Sequence, residues 1–291
     1  PGRAFNAAGR RERPRPPFYK KVAGAVSGRK RAPGAALALA FKPGSAHDLR
    51  MFLRFSTGSR PEAAESGLTS ELKYVGDETL APAALALLDA DCWPDPQHPA
   101  GQIHSVYFDT PDRRFHAEKT DGDNLKRKVR IRWYERPEAD DAGETTVFVE
   151  LKLRIGSARR KHRLAVPAPT RWLRTAPLDD PAWPAFLYRH AGALPEAIPL
   201  HLAPILCIRY ARDRYVCPRT GSRIAVDRDI RAERLNPELL PGAPRVHLDR
   251  SLCEFKNRGG VLPALGEALF AAGFRLRSFS KYGECMNQAL N

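Results

Sequence analysis

Two stretches of this chain, "LKRKVRIRWYER" (125–136) and "TTVFVELKLRI" (145–155), alternate apolar and charged residues with a period of two. That period belongs to a β-strand, whose successive side chains point to opposite faces. In the first, Val129, Ile131 and Trp133 share one face, and Lys128, Arg130, Arg132 and Tyr134 the other. In the second, Val147, Val149, Leu151 and Leu153 oppose Phe148, Glu150, Lys152 and Arg154. A sheet with one wet face explains either strand alone. The polar faces, however, repeat Arg and Lys with single glutamates beside them: Glu71 with Lys73, Arg130 with Arg132, Glu150 with Lys152, Lys161 with Arg163, Glu254 with Lys256. Like charges in register on an open sheet are destabilising. A concave basic surface is stable when an anion fills it, and Arg forks and Lys ammonium groups are the usual phosphate binders. A few carboxylates among them suit Mg²⁺ or Mn²⁺, which take oxygen ligands and share them with phosphates.

Alternation and turn residues predict further strands at 71–75, 102–111, 158–166, 204–212, 222–230 and 251–258, with Gly156–Ser157 as a tight hairpin turn. Helical spacing predicts helices over 80–92, much of 170–193, and 262–273 with Gly273 as its C-cap. Many strands with a few helices between them argue for an antiparallel, α+β or barrel architecture.

Composition narrows the function classes. The chain has 291 residues and a net charge of +15, of which residues 1–32 carry +9 from ten Lys/Arg and one Glu. That Arg/Pro/Gly-rich segment reads as a solvated, disordered tail, and 33–66 as linker. The ordered domain is expected over 67–291. No run of about 18 apolar residues exists, so no membrane span is expected. The five cysteines are scattered, without a CxxC pair or zinc spacing, which fits a reduced, cytoplasmic protein with buried thiols. Few aromatics are interleaved with the charges, so no specific nucleic-acid partner is expected.

The order "ELK", "YFDT", "KVRIR", "VELK", "KHR", "IRY", "RIAVDRD", "EFK" and "SFSKY" from about Thr69 to Met286 resembles the VTC domain, a member of the CYTH-like, triphosphate tunnel superfamily. The resemblance implies an antiparallel β-barrel tunnel with charged residues inside and helices outside. It implies transfer of the terminal phosphate of ATP to inorganic polyphosphate, assisted by Mn²⁺ or Mg²⁺. On the matching positions, Lys73, Arg130, Arg132, Lys152 and Lys281 become catalytic candidates. Lys161, Arg163, Arg209, Tyr210, Arg223 and Ser280 become phosphate-binding candidates. Glu254 becomes the metal ligand, with Glu71 and Glu150 as additional candidates. The wider superfamily often opens on a Glu-x-Glu-x-Lys pattern; here its first position is Thr69, which weakens a two-carboxylate site on the first strand and favours the polymerase branch over a triphosphatase. A non-catalytic module that binds polyphosphate or inositol phosphate is the other alternative. The helical bundle or membrane segment beside some VTC domains is absent from this stretch, so membrane association would come through a separate protein.

Overall fold

The computed structural model describes residues 70–135, 141–257 and 263–291. The tail and linker expected over 1–66 lie outside the described residues. The chain runs through β1 (Ser70–Asp77), a 3-10 turn (Glu78–Leu80), α1 (Ala81–Asp91), β2 (Trp93–Pro94), β3 (Ala100–Asp109), α2 (Arg114–Thr120), β4 (Leu125–Tyr134), β5 (Glu144–Ile155) and β6 (Ala158–Pro169). It continues through α3 (Thr170–Thr175), α4 (Ala182–Ala191), β7 (Ala203–Val216), β8 (Arg223–Leu235), β9 (Val246–Leu248), β10 (Arg250–Asn257), α5 (Pro263–Ala271), β11 (Arg275–Leu276) and α6 (Lys281–Leu290). All the strands join one antiparallel sheet in the order β11-β1-β10-β8-β7-β3-β4-β5-β6, with β2 on β7 and β9 on β8. The β5–β6 hairpin closes on Gly156, whose φ of 58° is the left-handed conformation a two-residue turn demands.

The apolar strand faces look outward to helices. Val129, Ile131, Trp133, Val147, Val149 and Leu151 pack with Leu173 of α3 and Trp183 and Leu187 of α4. A second outer cluster joins Ala84 and Leu88 of α1, Leu265 and Leu269 of α5, and Ile224, Val226, Cys253 and Phe255 of the sheet. Gly273 ends α5 at φ 98°, and a Cβ there would stand 2.9 Å from Leu80 Cδ1, so this position accepts glycine alone without displacement. A third cluster lies on the inner face. Ile103, Tyr107, Ile208, Tyr210 and Leu252 meet Phe279, Tyr282, Cys285 and Met286 in and before α6, which fill one end of the curled sheet.

The expected barrel is not closed. The hydrogen-bonded order ends at β6 on one side and β11–β1 on the other. The physical reason is the occupation of the β1 edge. β11 pairs with Tyr74 and Val75, and Arg277 N donates to Lys73 O, so these β1 groups are not available to β6. The sheet nevertheless curls until Arg159 of β6 and Glu71 of β1 stand 3.8 Å apart. The result is a trough whose seam is spanned by side chains.

Trp183 is fully buried and donates its indole N–H to Pro177 O at 2.9 Å. Trp183→Ala should cost about 3–5 kcal/mol, read as a lower denaturant midpoint; an unchanged midpoint would show that α4 does not hold the outer face of the sheet.

Candidate functional site

Strand register brings the charged faces together in rungs. Arg132 stands opposite Ser105 and Phe148; Arg130 opposite Tyr107 and Glu150, with Arg163 beyond. Next along the same face come Lys128, Lys152 and Lys161, and then Lys126, Arg154 and Arg159. On the facing wall, β1, β10 and β8 align Lys73 with Glu254 and Ala225, and Glu71 with Lys256 and Arg223. The two walls are close enough for the charge of Glu254 on β10 to act on Lys152 of β5. These strands are far apart in the sheet order, so it is curling that brings the two walls within electrostatic range.

Three carboxylates organise the cations. Glu150 is buried and accepts from Arg130 Nε at 2.6 Å, with Lys161 Nζ and Arg163 Nε each at 3.4 Å. Burial alone would raise its pKa, but Arg130, Arg132, Lys161 and Lys152 hold it well below the carboxylate range. Arg130 Nη1 also donates to Tyr107 Oη at 3.0 Å. Asp227 is fully buried; Arg212 grips both its oxygens at 2.5 and 2.7 Å, and Lys281 pairs with one of them. Against the burial penalty, Arg212 and Lys281 hold Asp227 at about 2. Glu254, also buried, has Lys256 at 3.2 Å. Against its own burial penalty, Lys256, Arg212, Lys73 and Lys281 hold it well below the usual range.

The lysine values fall too, here because the charged form is disfavoured. The neighbouring charge of Arg130, then burial, pushes Lys152 well below the ordinary lysine value. Burial first, then the charges of Lys73, Arg130 and Lys119, lowers Lys128 to about 8. Lys128 Nζ donates to Ser280 Oγ at 2.8 Å, the hydroxyl that also caps α6 by accepting from Gly283 N. Lys73 Nζ donates to Phe279 O at 3.1 Å. Tyr210 lies between these groups, its ring centroid 4.7 Å from Lys281 Nζ, 5.4 Å from the Arg212 guanidinium and 5.9 Å from that of Arg132. A ring face among cations holds them without neutralising them.

The structure gathers Lys73, Arg130, Arg132, Lys152, Lys161, Arg163, Tyr210, Glu254, Ser280 and Lys281 on this face, with Glu71 and the exposed Arg223 toward the rim. Arg209 does not join them. Its side chain pairs with Glu233 at 3.2 Å and Asp229 at 3.8 Å on the outer face, beside His104, which stacks on Trp133. Adjacent residues of a strand cannot both face inward: with Tyr210 inside, the inward arginine is Arg212. The sequence reading missed Arg212, Lys128 and Asp227 as site residues. Counting by two from Tyr210 and from Arg130 finds the first two, and counting by two from Arg223 reaches Asp227; only its pairing with Arg212 and Lys281 across strands has no local signal.

The carboxylates differ in their fitness for a metal. Both oxygens of Glu71, Glu150 and Asp227 are engaged by cations. Glu254, among the described residues, has one ion-pair partner within 4 Å, the half-exposed Lys256. That set fits an ion shared with phosphate oxygens and water rather than a protein cage. The one group of three His, Asp or Glu ligand atoms close enough to converge, among the described residues, is Glu78, His247 and Asp249, none of them on this face.

The VTC domain model matches residues 68–290. The chain belongs to the VTC domain family. No curated protein matches. Among solved structures, a protein of Pyrococcus horikoshii OT3 is similar at 15% identity and TM-score 0.36, over 72% of this chain and 95% of that one. A putative adenylate cyclase of Vibrio parahaemolyticus follows at 14% and 0.39, over 75% and 97%. One from Bacillus halodurans is at 13% and 0.38, over 69% and 84%. These likenesses are remote.

Glu150→Gln should lower stability at pH 7 by about 3 kcal/mol, because it leaves Arg130 buried without its counter-charge. Glu150 has a depressed folded pKa, so its contribution is present above the unfolded value of about 4.3 and is lost as pH falls through the folded one. The gap between wild type and variant should therefore be full at pH 7 and narrow below about pH 4. Urea titrations at both pH values check this; equal stability at pH 7 would remove Glu150 from the organising role.

Proposed function

We propose that this VTC domain is a polyphosphate polymerase-type phosphotransferase, moving the terminal phosphate of ATP onto an inorganic polyphosphate chain with the help of Mn²⁺ or Mg²⁺. The observation that carries the reading is the length of the cationic face. From Arg132 to Lys126 the rungs span seven residues of β4, six steps and roughly 20 Å at strand rise. Three phosphates fill only part of that path; a linear phosphate chain fills all of it.

Transfer between two phosphates needs positioning and charge neutralisation more than a base, since the attacking oxygen is already anionic. Arg130 is fixed by Glu150 and Tyr107, and Arg132 Nε by Ser105 Oγ at 3.0 Å, so both forks are preorganised before an anion arrives. Arg212 and Lys281 are held by Asp227 on the facing wall. Lys152 and Lys161 add charge between the walls. Glu254 would hold a divalent ion, which would supply Lewis-acid charge neutralisation to the phosphates. α6 and the inner apolar cluster fill one end of the trough with side chains.

Incubation with ATP and Mn²⁺ tests the reading: a ladder of phosphate polymers on a gel is expected. Free phosphate alone would make the domain a triphosphatase, and binding without ATP loss would make it a sensor. The pair Arg130→Ala and Arg132→Ala should weaken a non-hydrolysable ATP analogue about 100-fold or more, by loss of two charged hydrogen-bonding groups; undiminished affinity would place the triphosphate elsewhere. Proton linkage gives an independent check. A bound polyanion favours charged Lys128, whose pKa is about 8 in the free domain, so binding at pH 9 should take up protons and weaken as pH rises. Calorimetry in buffers of different ionisation heat measures the uptake, and a value of zero at pH 9 contradicts the placement of Lys128 against the ligand.

A further inference from the structure

Cys92 and Cys217 occupy facing positions at the end of a short ladder. β2 pairs with β7 through Trp93↔Val216 and Pro94↔Tyr215, so one step further Cys92 faces Cys217. The type of this rung follows from the hydrogen bonds. Asp95 N donates to Arg214 O at 2.8 Å, and bonded and non-bonded pairs alternate along an antiparallel ladder. Counting back from Asp95 and Arg214 makes the Cys92–Cys217 rung non-bonded. Their amides agree: Cys92 N donates to Leu88 O and Cys217 N to Ser222 O. Facing residues at such a rung have Cα atoms about 4.5 Å apart, within the range a disulfide spans.

Both side chains turn into the same outer cluster, beside Leu88, Tyr215 and Ile224. Cys207 and Cys285 lie in other clusters. Cys253 shares the cluster but sits on β10. The pair is one layer deep: Asp91 and Trp93 beside Cys92, and Pro218 and Arg219 beside Cys217, are exposed.

We propose that Cys92 and Cys217 form a peroxide-sensitive dithiol that closes to a disulfide between the end of α1 and the end of β7. The two thiols are chemically unequal. Burial would raise Cys217, but hydrogen bonds from the side chain and backbone of Thr220 and the backbone of Arg219 bring it below the ordinary thiol value, whereas burial pushes Cys92 up to about 12. Cys217 is therefore the attacking thiolate. Its sulfur takes one oxygen of hydrogen peroxide as the O–O bond breaks, giving a sulfenic acid and hydroxide. The sulfur of Cys92 then attacks Sγ of Cys217; its proton and the sulfenic hydroxyl leave as water. Two thiols and one peroxide give one disulfide and two waters.

The test uses the reduced full chain in native buffer with a few equivalents of hydrogen peroxide. Free thiols should fall from five to three, and peptide mapping should join the Cys92 and Cys217 peptides with a loss of two hydrogens. Cys92→Ser should leave a sulfenic acid on Cys217 that dimedone traps, and Cys217→Ser should leave Cys92 a thiol. Five remaining thiols in the native protein, a bond mapped to any other pair, or joining seen only in urea would overturn the proposal.

Discussion

Lys128, Lys152 and Lys161 stand side by side across three strands, and the repulsion among them is the constraint on which the rest of the domain is built. At about 5 Å and an effective dielectric near 20, each adjacent pair costs roughly 3 kcal/mol when fully charged. The opposite faces of β4 and β5 compensate. Burying Val129, Ile131, Val149 and Leu151 against α3 and α4 contributes about 1.5–3 kcal/mol each. Outer helices and inner charges are thus two halves of one arrangement: without the first, the second would not stay in register. The lysines relieve part of the cost themselves, since Lys128 and Lys152 hold their protons less tightly than free lysine.

The carboxylates serve the same end from inside. Glu150 gathers Arg130, Lys161 and Arg163; Asp227 gathers Arg212 and Lys281. Each works as a counter-ion built into the wall, fixing the forks before a ligand arrives. Among the described residues, both oxygens of each are taken by cations, whereas Glu254 has a single ion-pair partner within 4 Å. The number of cations each carboxylate serves is set by the three-dimensional pairing, and a pattern of acidic positions along the chain cannot show it.

Much of this was legible in the chain. The period of two in 125–136 and 145–155 assigned the faces correctly, and Gly156 and Gly273 marked the turn and the helix end. Two things were not legible. The pairing of Arg209 with Tyr210 as a local motif overlooked strand geometry, which sends neighbours to opposite sides. Closure could not be read either, because it depends on a two-residue strand, Arg275–Leu276, taking the β1 edge. Such a strand is too short to have a period. The short α2 lacked a sequence signal for a related reason: Asp109, before the helix, accepts from the amides of Phe115 and His116 across the turn.

The unsealed seam has a topological meaning. A closed barrel is a ring, and a polymer running through it is linked to it until an end slips out. Here β6 and β1 meet through a half-exposed pair, Arg159 and Glu71, an interaction worth about 1 kcal/mol or less. A long anion bound along these rungs would be laid in a groove rather than strung on a bead, and among the described residues its release would need only the parting of that pair.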